Sequence, residues 1–167
     1  MLHEAKEREY QQLTPAERQG KEPPAKHRFP KGFHRGVELF GQQASRLSEP
    51  GYREFIEQHG LILVEGFNDV IGLDNLCIPA LAIMSNRMTD AQGEKVIRFA
   101  QQLGINRVNL MFDCDDPGTA GAKEALWFFA ERQIDVRLVW SPTMHGGEYI
   151  GKQPESLDRA EVALLLD

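Results

Sequence analysis

Polar and apolar positions divide the chain into two unlike parts. Residues 1–30 are polar and are interrupted by Pro15, Pro23, Pro24 and Pro30, so no helix longer than the first dozen residues fits and an irregular arm is expected. After Gly60 the character changes. Leu61-Ile62-Leu63-Val64 is an unbroken apolar run that stops at Glu65-Gly66, the pattern of a strand buried on both faces. Val70 to Leu76 suits a short helix, and Ala80 to Met84 a second strand running into the polar Ser85-Asn86-Arg87. Thr89 with Gln92 three residues on forms a capping box, Val96, Ile97, Ala100 and Leu103 recur at helical spacing, and Gly104 closes that helix. Arg107 to Phe112 predicts a third strand ending at Asp113-Cys114-Asp115-Asp116. Asp116 then reads as the cap and Pro117 as the first residue of a helix carrying Ala125, Leu126, Phe128 and Phe129. Val136 to Trp140 predicts a fourth strand, and residues 155–166 a last helix.

Strands alternating with helices predict βαβ units, hence an α/β fold with a parallel sheet covered on both faces and right-handed crossovers. The aromatic run Trp127-Phe128-Phe129 lies within a helix and is expected to serve the core rather than to stack on bases.

Composition sharpens this picture in three ways. At 167 residues with 41% apolar positions, the chain is long enough for one core plus an arm. The net charge of −6 excludes a wholly basic nucleic-acid coat protein, yet the charge is uneven: residues 1–36 sum to +3 and the remainder to −9. Between residues 18 and 36, Arg18, Lys21, Lys26, Arg28, Lys31 and Arg35 stand against Glu22 alone, with Phe29 and Phe33 interleaved. Such a stretch suits phosphate contact, and equally a solvated linker. The two cysteines, Cys77 and Cys114, sit in no zinc-binding spacing. With no membrane-length apolar run and no signal-like N-terminus, the protein is expected in the cytoplasm, without a membrane partner.

In an open parallel sheet, ligands bind at the carboxyl ends of the strands. Glu65 follows the first strand, and Asp113 and Asp115 the third. If those strands are neighbours, three carboxylates meet on one edge, and their repulsion calls for a cation. Hard oxygen ligands suit Mg²⁺, which is commonly held by one or two carboxylates together with substrate phosphates. Plain helix capping explains Asp116 well, but Asp113 and Glu65 less well. Asp69, four residues beyond Glu65, is either a supporting ligand or an exposed carboxylate. His145 reads as a solvated loop histidine, and Glu148 has a somewhat better claim to the site.

These residues resemble a known family. Leu61-Ile62-Leu63-Val64-Glu65-Gly66-Phe67-Asn68-Asp69-Val70 resembles the VEGxxDV motif of the Toprim domain in bacterial DnaG-type primases, and Asp113-Cys114-Asp115 its DxD. The run from Asp115 to Gly121 is similar to the helix entry that follows, and Phe33 to Gly41 to the segment that precedes Toprim. The resemblance implies a four-stranded parallel sheet flanked by helices, with a basic N-terminal arm and connecting segment over residues 1–58, Toprim over 59–152 and a C-terminal helix over 153–167. It implies Asp113 and Asp115 as Mg²⁺ ligands (Mn²⁺ substituting), Glu65 as ligand or general acid/base, Asp69 supporting the metals, and template contact by Lys26, Arg28, Lys31 and Arg35. The implied reaction is RNA primer synthesis on a DNA template from nucleotides, within a larger replication protein that includes further primase domains or a helicase partner. Two positions depart from the family pattern. Of its acidic pair after the fourth strand only Glu148 is found, and Asn86 stands for a loop glycine, a role its left-handed tendency permits. The alternatives are a Toprim nuclease or topoisomerase, for which Tyr10, Tyr52 and Tyr149 are unconvincing nucleophiles, and a non-catalytic nucleic-acid-binding module.

Overall fold

A computed structural model of the chain describes residues 8–19, 21 and 29–166. It divides into two compact units, residues 1–33 and 34–167. In the first, a helical turn α1 (Pro15–Arg18) is fastened by Thr14, whose backbone N–H and hydroxyl both donate to the Glu17 carboxylate. A turn at Gly32 brings the rings of Phe29 and Phe33 into a parallel stack with centroids 5.1 Å apart.

The second unit runs α2 (Ala44–Leu47), α3 (Pro50–His59), β1 (Leu61–Val64), α4 (Phe67–Asn75), β2 (Ala80–Ala82), α5 (Asp90–Gln102), β3 (Arg107–Leu110), α6 (Asp116–Glu131), β4 (Asp135–Leu138) and α7 (Arg159–Leu166). The sheet has the order β2-β1-β3-β4 and every pairing is parallel. The unbroken apolar run of β1 is therefore central, as burial on both faces requires, and β3 lies beside it. Leu61, Leu63, Leu81, Ile83, Val108 and Leu110 join one core cluster with Val96 and Ile97 of α5 and Ala122, Ala125 and Phe129 of α6. Ile62, Val64, Ala80, Ala82 and Met111 join the other with Val70 and Leu73 of α4 and Val162 and Leu166 of α7. Among the described residues no helix is long and apolar enough to cross a membrane.

Several element boundaries differ from the expected ones. β2 and β3 stop at Ala82 and Leu110, and β4 spans Asp135–Leu138, shifted toward the N-terminus. Ile83, Met111 and Val139 still donate backbone N–H groups to Val64, Leu63 and Leu110, so apolar runs outlast ladder geometry by a residue or two. α4 begins at Phe67, three residues before the apolar pattern shows it. The last helix begins only at Arg159, after a separate 3₁₀ turn at Pro154–Ser156. Trp127 is 68% exposed while Phe129 is fully buried. On α6 the inward stripe is Ala122, Ala125 and Phe129, and a residue two before Phe129 lies on the opposite side of the helix.

The edge of β2 is covered by an antiparallel bridge in which Phe40 and Ala82 exchange backbone hydrogen bonds of 2.9 and 3.0 Å, protecting a strand edge that would otherwise invite pairing. The capping box of α5 reaches further than its own helix. Thr89 accepts from the Gln92 N–H, and the buried Gln92 amide donates to the carbonyls of Ile83, Arg35 and Glu38. The Thr89 hydroxyl donates to the Gly36 carbonyl. The chain entering this unit is thereby pinned beside the carboxyl end of β2.

Candidate active site

β1 and β3 are hydrogen-bonded neighbours, so Glu65 and the Asp113–Asp115 turn emerge side by side at one sheet edge. The Glu65 Oε1 accepts the Asp113 backbone N–H at 3.1 Å, tying the two strand ends together. α6 starts beneath this contact: a Cβ on Gly118 would lie 2.2 Å from the Asp113 carbonyl and 2.8 Å from Glu65 Oε1, so only glycine lets the helix approach so closely. The cap of α6 is Asp115, not Asp116. Asp115 Oδ1 accepts the Gly118 N–H at 2.7 Å, and Asp116 with Pro117 forms the first turn. Extended backbone at Asp115 is the geometry of a capping position. The acidic turn therefore delivers one carboxylate oxygen to the helix and keeps the other available.

Cys114, between the two aspartates, points into the second core cluster, and burial pushes its thiol pKa up. Asp69 is buried rather than exposed and accepts the Gly66 N–H at 2.8 Å. The carboxylates feel one another. Burial first, and then the Asp113 charge, push Glu65 up to about 7, against the opposing pull of the Asp113 N–H. Asp69 is pushed up to about 6, again by burial first, with the charges of Asp113 and Glu155 adding to it. Raised acids converging on one edge mark a place where bound positive charge is favoured. Among the described residues, no three His, Cys, Asp or Glu side chains stand close enough to hold an ion on their own.

Glu148 is not part of this group: it is exposed in the loop after β4, where its charge acts on Lys152. The group from that loop that does reach the site is Gln153, whose Nε2 donates to Asp113 Oδ2 at 3.1 Å. Sequence reading missed it because an uncharged glutamine carries no chemical signal; only the neighbouring Pro154 hints at a fixed turn. The exposed Asn86 does not supply the left-handed residue of the β2–α5 loop, which is Met84 at φ 58°. The Asn86 carbonyl instead packs on Gly121, where a Cβ would come within 1.8 Å. His145 Nε2 pairs with the Val139 carbonyl at 3.1 Å and its ring meets Tyr149 edge-on. Of the basic candidates, Lys31 and Arg35 are exposed, and Lys26 and Arg28 lie outside the described residues.

The Toprim-like family model matches residues 62–148, just over half of the chain. The chain belongs to the Toprim-like family. The matched span contains Glu65, Asp69, Asp113 and Asp115 and ends before Gln153. Among solved structures, this Toprim chain is similar to the primase of Aquifex aeolicus, zinc-binding and RNA polymerase domains, at 25% identity and a TM-score of 0.61, covering 87% of this chain and 33% of that one. A DnaG catalytic core matches at 24% identity and a TM-score of 0.59, over 85% and 42% of the two chains. A DnaG primase catalytic domain bound to single-stranded DNA matches at 20% and 0.52, over 83% and 42%. The fold is thus that of the Toprim domain of DnaG-type primases, and the chain spans between a third and somewhat over two fifths of those relatives. No curated protein matches the sequence.

Proposed function

We propose that this Toprim chain is the catalytic module of a primase-type nucleotidyltransferase, which joins nucleotides into an RNA primer on a DNA template. The observation that carries this reading is the meeting of Glu65 and the Asp113–Asp115 turn at the carboxyl ends of two adjacent central strands. The RNA polymerase domain named for the Aquifex primase supports the choice of reaction.

The donor set fits Mg²⁺ in kind, since every candidate ligand is a hard carboxylate oxygen. It also fits in number if Asp113 and the free oxygen of Asp115 hold the ion with water and substrate phosphates, the usual manner for this cation. Glu65 and Asp69 complete the negative surround. When bound, the ion supplies charge neutralisation of the transferring phosphate and a lowered pKa for the attacking hydroxyl. The protein's own groups then have separate tasks. Asp115 aims the start of α6 at the site while presenting its second oxygen. Glu65, which burial and the Asp113 charge push up to about 7 before an ion is bound, would give up its proton as the ion binds and could then accept one at the site. Lys26, Arg28, Lys31 and Arg35 supply positive charge for template phosphates, and further primase domains or a helicase are the expected partners.

Cleavage of the topoisomerase kind finds less support. The Tyr149 ring is buried against Trp140, and the Tyr52 hydroxyl donates to Asp74 at 2.7 Å, so neither is presented as a nucleophile. The reading is tested by dinucleotide synthesis on single-stranded DNA with Mg²⁺ or Mn²⁺, using this chain joined to the remaining primase domains. Product that disappears with Asp113→Asn is the expected result. Strand cleavage without synthesis would contradict it.

A further inference from the structure

Among the described residues no three carboxylates at the sheet edge stand close enough to enclose an ion by themselves, and one group that packs against Asp113, Gln153, is neutral. Gln153 comes from the loop after β4, and its amide is a side-chain donor to Asp113 Oδ2. The side chain is exposed, yet its backbone is held firmly. Pro154 restricts the residue before it to the extended conformation seen at Gln153, with φ −115° and ψ 151°. The Gln153 carbonyl accepts both the Ser156 N–H at 2.9 Å and the Ser156 hydroxyl at 2.6 Å. Just upstream, Gly151 donates to the Cys114 carbonyl at 2.8 Å and Cys114 donates to the Lys152 carbonyl at 3.0 Å. The loop is thereby clipped to the middle of the acidic turn. Just downstream the 3₁₀ turn rests on α4 at Gly72, where a Cβ would come within 2.8 Å of Glu155 Cβ. Gln153 is thus carried by a platform fixed on both sides, the condition for a side chain to orient another rather than drift beside it.

We propose that Gln153 is a positioning residue of the cation site: its amide holds the Asp113 carboxylate in its working orientation. Because it is neutral where a glutamate of the same length would be charged, it leaves the site dependent on substrate phosphates for tight metal binding. This rests on the metal-dependent reading above and adds the determinant of when the metal binds. A site short of one carboxylate binds the free ion weakly and the ion–nucleotide complex well, since the triphosphate brings the missing oxygens. Group transfer is thereby coupled to arrival of the nucleotide.

The test is a calorimetric Mn²⁺ titration of the wild-type chain, Gln153→Ala and Gln153→Glu, each with and without a nucleoside triphosphate, with thermal melting as a folding control. Removing the amide is expected to weaken Mn²⁺ binding about tenfold, as loss of a ligand-orienting partner commonly does. Gln153→Glu is expected to tighten binding of the free ion about tenfold and to reduce the gain from nucleotide, because ligand charge sets affinity at hard-cation sites. The loss in Gln153→Ala reads the positioning role, because it removes the amide without adding charge, while the gain in Gln153→Glu reads the missing carboxylate. If the wild type binds Mn²⁺ and Gln153→Ala leaves that affinity unchanged, the positioning role is wrong and the metal reading stands, whatever Gln153→Glu does. If the wild type binds no Mn²⁺ even with nucleotide, both are overturned.

Discussion

Asp115 has two carboxylate oxygens, and one already serves the helix by accepting the Gly118 N–H. This dual use separates two effects of substitution. Asparagine caps about as well as aspartate, whereas alanine does not. Asp115→Asn is therefore expected to keep its thermal stability and lose divalent-cation binding, while Asp115→Ala loses binding and also about 1 kcal/mol of stability; denaturant unfolding alongside metal titration distinguishes them. Glu65 gives a prediction in pH. Its carboxyl is pushed from an ordinary 4.5 up to about 7, so the folded chain holds that proton more tightly than the unfolded one. Stability from this source is fully present below about 4.5 and is lost as pH rises toward and past 7. Glu65→Gln should melt like the wild type at pH 5 and above it at pH 8, by about 1 kcal/mol for a half-solvated group. Added Mg²⁺ should erase that gap by stabilising the wild type, and binding should release protons near neutrality. Equal melting of the two proteins at pH 8 without metal would contradict the electrostatic reading of the site.

At the scale of elements, the clearest legibility came where local rules and burial agree. The Thr89–Gln92 capping box and the run from Leu61 to Val64 stand where their patterns place them. The acidic turn was legible as a cluster of carboxylates but not as geometry, because Asp113, Asp115 and Asp116 compete for one cap and only backbone conformation decides among them. α6 shows a second limit of pattern. Trp127, Phe128 and Phe129 are equally apolar in sequence, and only Phe129 is fully buried. Phe129→Ala should cost about 3–5 kcal/mol in denaturant unfolding, a core truncation. Trp127→Ala should stay within about 0.5 kcal/mol, as an exposed position does. Comparable losses at the two positions would mean that the helix presents a different face. Gln153 was illegible for another reason, since its contact with Asp113 joins residues forty positions apart through a loop that no periodicity describes.

For the molecule as a whole, an acidic Toprim edge follows a basic stretch, and the chain between them is pinned at Arg35–Glu38 by Gln92 and Thr89. The parallel pairing was contained in the alternation of apolar runs with helical segments; the strand order was not, and the convergence of Glu65 with the Asp113–Asp115 turn stood in the sequence only on the condition that β1 and β3 are neighbours, as they are. Template contact by the basic stretch predicts salt-sensitive binding of single-stranded DNA. Each phosphate contact should contribute about 0.7 to the slope of log affinity against log salt. Replacing Lys26, Arg28, Lys31 and Arg35 with alanine should flatten the slope, as read by fluorescence anisotropy across a salt series, and a slope unchanged by the replacement would remove the arm from the template-binding account.

The central claim is that the carboxylates at the ends of β1 and β3 hold a divalent cation, and the most direct measurement is a calorimetric Mn²⁺ titration with nucleoside triphosphate present. The wild-type chain should bind, and the variant combining Glu65→Gln with Asp115→Asn, folded by its melting curve, should not. Equal binding by the two proteins would contradict the account.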